Sequence, residues 1–280
     1  MTATATFLGF YRGAINLWVE DPLSRDYLRE LWQADPSVVF YIGGGAEGIQ
    51  AVLKEAEAAG LKNVFAYADR DFRPSNRGHW LDPQKTFTRF VTSVHEVENF
   101  LLDADALAAC DLNTGNRSAA EVQAQLQRRA GELVWWMACR SVISGIHAEF
   151  YDDFPSHPKC PEVTDQAGAE TYLLATPWFA GLAARTAGLS VAEVKKRLTT
   201  AHALAVQQIA DGSWQSEFSG KELFHHVRGY VYINAPKSTA KSILDADLAK
   251  SVGRWQVDNG RVPQEIDDLL KALKTRASRP

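Results

Sequence analysis

Two carboxylates one residue apart, Asp69 and Asp71 in VFAYADRDF (residues 64–72), are the first feature of this chain with the makings of chemistry. The run Val64 to Ala68 before them predicts a buried β-strand. Side chains two apart in an extended chain point the same way. Like charges held side by side repel unless a cation lies between them. Hard oxygen donors in that arrangement suit Mg²⁺ or Mn²⁺. Two other DxD pairs serve as internal controls, Asp103/Asp105 in LLDADAL and Asp245/Asp247 in ILDADLA. Both border helical stretches, where acids cap a helix or favour its dipole.

Two further acids have comparable settings. Glu20 ends the apolar run AINLWVE, and Glu98 lies in HEVENFLL (residues 95–102). Glu20, Asp69, Asp71 and Glu98 together are the expected metal ligands and catalytic carboxylates. They suffice for one ion, or for two clamping a phosphodiester. Read as helical, HEVENFLL cannot turn Glu96 and Glu98 the same way, so Glu96 is expected as a solvated or outer acid. His95 reads as a hydrogen-bonded structural histidine rather than a base, and Asp26 as a helix-face acid. Ser219-Gly220-Lys221 opens a helix, and Lys221 is a candidate catalytic cation for a phosphate; the neighbouring His225 and His226 point to different helix faces. Arg70, Arg73, Arg77 and Lys85 are candidate nucleic-acid contacts, since basic groups neutralise phosphates. With Arg89 they are interleaved with Phe72, Trp80, Phe87 and Phe90, and aromatic rings stack on unpaired bases.

The elements that must position these groups follow from periodicity. Strands are expected over residues 14–20, 38–42, 64–68 and 86–94, with helices over 22–34 and 46–59 and a short helix from Glu96. Residues 72–84 read as loop. The β-α-β-α-β order predicts an α/β fold with a parallel sheet flanked by helices. In such sheets functional groups gather beyond the carboxyl ends of the strands. Those ends carry Glu20, a glycine run, Asp69 with Asp71, and residues 95–99. Beyond residue 105 the chain reads as mainly helical, over 119–145, 191–210, 220–232 and 263–275. The expected division is an α/β catalytic domain at 1–108 and a mainly helical region at 109–280.

Composition narrows the class. The chain has 280 residues, 46% hydrophobic and 23% charged, with net charge −4. That is an ordinary soluble globular composition and not a polycation, so nucleic acid would have to be held by a local basic patch or a metal. The three cysteines, Cys110, Cys139 and Cys160, lack zinc spacing and read as buried apolar residues in a reducing, cytoplasmic setting. No long apolar span or leader is evident. Neither GxxxxGK[ST] nor GxSxG occurs. A competing motif does: Gly43, Gly45 and Gly48 in YIGGGAEGIQ satisfy GxGxxG, and Asp69 follows Gly48 by twenty-one residues. That pattern suits a dinucleotide-binding enzyme, although a tight glycine turn opening a helix explains the same residues.

Glu20 at the end of the first strand and Asp69-x-Asp71 at the end of the third resemble the signature of the TOPRIM domain of topoisomerases, primases and OLD-type nucleases. LWVEDPLSRDYL resembles the family's opening segment, with Asp21 where a glycine is usual. HEVENFLL is similar to the IENYLL stretch of a TOPRIM branch near the OLD nucleases, which includes the nuclease subunit of the PARIS anti-phage system. SGKELFHHV resembles a helix start in the same branch. The likeness spans residues 14–105, and more loosely 219–228. It implies a TOPRIM-like, Rossmann-like fold and a Mg²⁺- or Mn²⁺-dependent nuclease acting on DNA or RNA, including structured RNA such as tRNA, in phage defence. Lacking a P-loop, the chain would work with a separate ABC-type ATPase; nucleic acid and a second copy of the chain are the other implied partners. The substitution at Asp21 leaves a third reading, a non-catalytic TOPRIM-like interaction module.

Overall fold

The computed structural model describes residues 11–72, 79–81, 89–150, 158–159, 162–175, 177–185, 189–231 and 245–278. Its organising strand is β1 (Ile15–Val19), buried along nearly its whole length. Ile15, Leu17 and Val19 enter the main core, while Trp18 packs on a smaller cluster of Tyr11, Ala56 and Val64. A strand with apolar groups on both faces needs cover on both. β1 pairs in parallel with β2 (Val38–Ile42) on one side and β3 (Val64–Ala68) on the other. β3 pairs in parallel with β5 (Arg89–Val91), and β4 (His79–Leu81) closes the edge antiparallel to β5. The sheet order is therefore β2-β1-β3-β5-β4.

The first three strands and the parallel sheet match expectation closely. β4 lies within a stretch expected to be loop. It forms because the β5 edge is free to pair and the Trp80 ring packs edge-on against Phe65 and Phe90, centroids 6.3 and 5.3 Å away. The expected fourth strand is confined to Arg89–Val91 among the described residues. Helix α1 (Pro22–Leu31) stops short of the expected residue 34, because Gln33 and Ala34 both take positive φ. Helix α2 (Ala46–Ala58) covers the smaller cluster. The glycine turn before it is required by backbone proximity. A Cβ on Gly48 would lie 2.1 Å from the Gly43 carbonyl oxygen.

After β5 comes a five-residue 3₁₀ turn (Val97–Leu101), then α3 (Ala104–Ala109), α4 (Ala119–Glu132) and α5 (Val134–Phe150). The expected single helix at 119–145 breaks at Leu133, whose N–H bonds both the Arg129 and Ala130 carbonyls. There follow α6 (Gln166–Leu174), α7 (Pro177–Arg185), α8 (Val191–Asp211), the single turn α9 (Trp214–Glu217), α10 (Gly220–Val231), α11 (Asp245–Asp258) and α12 (Gln264–Ala277). Both DxD controls are helix starts: Asp103 caps α3 through the Asp105 and Ala106 N–H groups, and Asp245 and Asp247 lie in the first turn of α11. Cys110 and Cys139 are free and buried, while Cys160 lies outside the described residues. Among the described residues no helix is long and apolar enough to cross a membrane.

The core is continuous across residue 108. One apolar cluster runs from Ile15 to Leu273. The last two helices return to α1: Tyr27 Oη donates to Gln256 Oε1 at 2.8 Å, and Trp32 Nε1 donates to the Ile266 carbonyl at 3.2 Å. Glu265 accepts from Thr92 Oγ1 and Ser93 N just beyond β5.

The 3₁₀ turn and the start of α10 interlock. Asn99 Nδ2 donates to the Gln215 and Phe218 carbonyls, and a Cβ on Gly220 would sit 2.6 Å from Asn99 N. Gly220→Ala therefore pushes backbone against backbone and is expected to cost about 1–3 kcal/mol. Gly229→Ala, on the same helix with open space around it, is expected to stabilise by about 0.5–1 kcal/mol. Urea unfolding midpoints of the two variants check this opposition of sign.

Candidate metal centre

The chain passes from β1 outward to β2 and then returns to β3 on the other side of β1. The crevice between β1 and β3 is thus the topological switch point, where ligands of open α/β sheets bind. Glu20 follows β1 and Asp69 follows β3. Glu20 Oε1 accepts from Asp69 N at 3.3 Å, bridging the two strand ends. Glu20 is free for this because Asp21 caps α1, accepting from Ser24 N at 2.8 Å. The glycine run follows β2, an edge strand away from this crevice.

Asp69 is only 4% exposed and both its oxygens are engaged. Oδ1 accepts from Val97 N and Oδ2 from Lys221 Nζ, each at 2.9 Å. Burial raises its pKa to about 8; Lys221 pulls the other way, while Glu20 and Glu96 add to the rise. Glu98 is buried as well, and burial together with Asp69 raises its pKa well above the carboxylate range. Its Oε2 has no hydrogen-bond partner. Glu98 and Lys221 line a cavity of about 220 Å³ with Leu23, Phe224 and Asp245. Burial also raises the pKa of Glu20, followed by the charge of Asp71. The Lys221 pKa is raised: burial opposes its charge, but Asp69, Glu98 and Glu96 outweigh that. Asp21 is a further acid near this ammonium, at 4.0 Å.

Asp71 departs from the extended geometry expected of a DxD at a strand end. The strand stops at Ala68, and Asp71 takes φ +52, a left-handed conformation that Asp tolerates better than most residues. Its N–H donates to the His95 carbonyl at 2.8 Å. Asp71, His95 and Glu96 offer ligand atoms all within 4.8 Å of one another. Glu96 is 3% exposed, so it is not the solvated acid that was one part of the expectation. The segment is a 3₁₀ turn with Glu96 as its extended N-cap, so the α-helical facing argument does not hold. Glu96 Oε2 accepts from Ser219 Oγ at 2.9 Å and Lys221 N at 2.8 Å, an anion at the start of α10.

His95 is 1% exposed, and its Nε2 has no hydrogen-bond partner. Burial lowers its pKa to about 3, with Arg70 and Arg140 adding to the fall and Asp71 opposing it. The ring is therefore neutral near pH 7, a state in which imidazole can ligate a metal. No sequence signal beyond its place after a strand singled it out.

The remaining expected site residues lie elsewhere. Arg70 is not a surface phosphate contact: it is 3% exposed and bonds the Val94 and Ser216 carbonyls and Glu217. It straps α9 beneath His95, whose N–H donates to Ser216 O. Arg73, Arg77 and Lys85 lie outside the described residues. Asp26 pairs with Arg25 and Lys250, as a helix-face acid would. His226 faces Gln125 and His225 faces Asp245, on different sides of α10.

No known family model matches this chain, and no curated protein matches it in sequence.

Raised carboxylate pKa values carry a stability consequence. The folded protein holds a proton on Glu98 that the unfolded chain releases, so stability falls as pH rises from the ordinary carboxylate range toward the raised folded value. Glu98→Gln removes that slope. Its melting temperature in the absence of metal is expected to exceed wild type by a margin about 2 °C or more larger at pH 8 than at pH 5. A margin that is flat or shrinks with pH, measured by calorimetry in EDTA, contradicts the placement of a buried, proton-holding acid here.

Proposed function

We propose that this chain is a metal-dependent phosphodiesterase that cleaves DNA or RNA, with a TOPRIM-like site. One observation carries this reading. Glu20, Asp69, Asp71, Glu96 and Glu98 converge at the switch point of the sheet, with Lys221 as the ammonium bound to Asp69. Several carboxylates held together out of water repel one another, and a divalent cation is the ordinary remedy. The donor set fits one: carboxylate oxygens with one neutral imidazole, and two buried atoms, Glu98 Oε2 and His95 Nε2, without protein partners. Oxygen ligands suit Mg²⁺ or Mn²⁺, and the imidazole tilts the choice toward Mn²⁺.

Asp71, His95 and Glu96 would hold such an ion, with Glu20, Asp69 and Glu98 available for a second. When bound, it supplies a Lewis acid for the phosphate and an acidified water. Glu96 is held by Ser219 and the start of α10, and so keeps its orientation. The Lys221 side chain is 43% exposed, so its ammonium can exchange Asp69 for a substrate phosphate and balance charge on the leaving oxygen. A separate ABC-type ATPase and a role in phage defence complete this proposal, resting on the resemblance and on the missing P-loop. The dinucleotide reading finds less support. The glycine run sits on the edge strand, and Gly48 is required by its contact with Gly43.

Calorimetry with Mn²⁺ and Mg²⁺ tests the reading, with Asp69→Ala/Asp71→Ala as comparison. Wild type is expected to bind and the double variant not. On a panel of labelled DNA, RNA and tRNA, Asp71→Ala is expected to lose more than the roughly 100-fold that removal of an outer metal partner costs. An Asp71→Ala protein that cleaves at the full rate, or a wild type that binds neither metal nor nucleic acid, overturns the assignment.

A further inference from the structure

Arg140 on α5 belongs to none of the groups above. Its guanidinium carbon lies 4.8 Å from the Trp136 ring centroid and 5.1 Å from that of Phe72. Phe72 follows Asp71 directly, and its ring meets His95 edge-on with centroids 4.6 Å apart. The stack thus brings a helix of the C-terminal region to the rim of the acidic site. The Arg140 Nε–H is buried without an acceptor. Among the described residues no carboxylate pairs with Arg140, whereas Arg70, Arg197, Arg254 and Arg261 each have one.

A guanidinium held against two aromatic faces keeps its N–H edges for a planar or tetrahedral oxyanion, and the rings restrict its orientation before the anion arrives. A half-buried cation lacking an anion, one ring away from Asp71 and His95, fits an anion supplied by the ligand. We propose that Arg140 is a phosphate-binding residue, gripping the non-bridging oxygens of a nucleic-acid phosphodiester beside the one presented to Asp71, His95 and Glu96. The inference rests on the phosphodiesterase reading and deepens it: Phe72 and Trp136 are the positioning rings, and α5 contributes to substrate binding. Because Arg140 reads a phosphate, it adds affinity without base preference.

The test uses the full chain with Ca²⁺ in place of Mg²⁺ and a fluorescein-labelled 20-nucleotide single strand, as DNA and as RNA, followed by anisotropy across a salt series. Arg140→Gln is expected to weaken binding about tenfold and to lower the slope of log affinity against log salt by roughly 0.7. Its Mn²⁺ binding should be unchanged. Arg140→Lys keeps the charge but not the planar fork, so its affinity should fall while the slope stays at the wild-type value. If the glutamine variant does not fold, the lysine variant alone decides, and affinity equal to wild type overturns the role. A wild type that binds the strands with an Arg140→Gln variant of equal affinity and slope removes Arg140 while leaving the phosphodiesterase reading standing. A wild type that binds Mn²⁺ but neither strand removes the phosphate-binding role and leaves the metal site standing.

Discussion

Asp69 accepts hydrogen bonds from Val97 N and Lys221 Nζ, two groups that approach from different parts of the chain. The arrangement of the acidic edge depends on this one buried carboxylate. Through Val97 it fixes the turn that carries Glu96 and Glu98. Through Lys221 it fixes the start of α10, where Glu96 takes up the next two donors. A buried carboxylate is costly unless hydrogen-bonded and paired, and here the groups that satisfy Asp69 are the ones that build the site. Yet burial and the neighbouring acids still push its pKa up to about 8. The hydrogen bonds are therefore satisfied, yet one ammonium among several acids leaves the Asp69 carboxyl favouring its protonated form when no further cation is present.

The two short segments that set this chain apart in sequence, HEVENFLL and SGKELF, are the two halves of that junction. Asn99 ties the first to Gln215 and Phe218, just ahead of the second, through its side-chain amide, Gly220 allows the backbones to approach, and Ser219 and Glu96 bond directly. Val97 and Leu101 anchor the first segment in the core, and Leu223 and Phe224 anchor the second. Most residues of these motifs thus serve packing and orientation, which leaves Glu98, His95 and Lys221 as the groups with unspent chemical capacity.

Legibility in the sequence followed the range of the forces involved. The first three strands were readable because apolar runs and period-two alternation are local. Glu20 and Asp69 were readable because a parallel sheet sends its strand ends to one edge. Asp71 was found by position but not by conformation, since its left-handed turn depends on the His95 carbonyl. Glu96 is buried rather than solvated because a 3₁₀ turn with an extended cap orients side chains differently from the α-helix its spacing suggested. Arg70 reads as a basic loop residue until α9 is folded against it. Arg140 could not be read at all: its significance comes from Phe72, far away in sequence and brought near only by the packing of α5.

The Asp69–Lys221 pair also has a history within each molecule's synthesis. Its partners are 152 residues apart. At translation rates of roughly 5–20 residues per second, the carboxylates leave the ribosome about 8–30 s before their ammonium does. During that interval the strand ends have no Lys221, no Ser219 and no α10 to shape them, and the sheet lacks the cover of its last two helices. The acidic edge consequently cannot take its full shape until Lys221 has left the exit tunnel. A half-made chain carries the carboxylates without the geometry to use them.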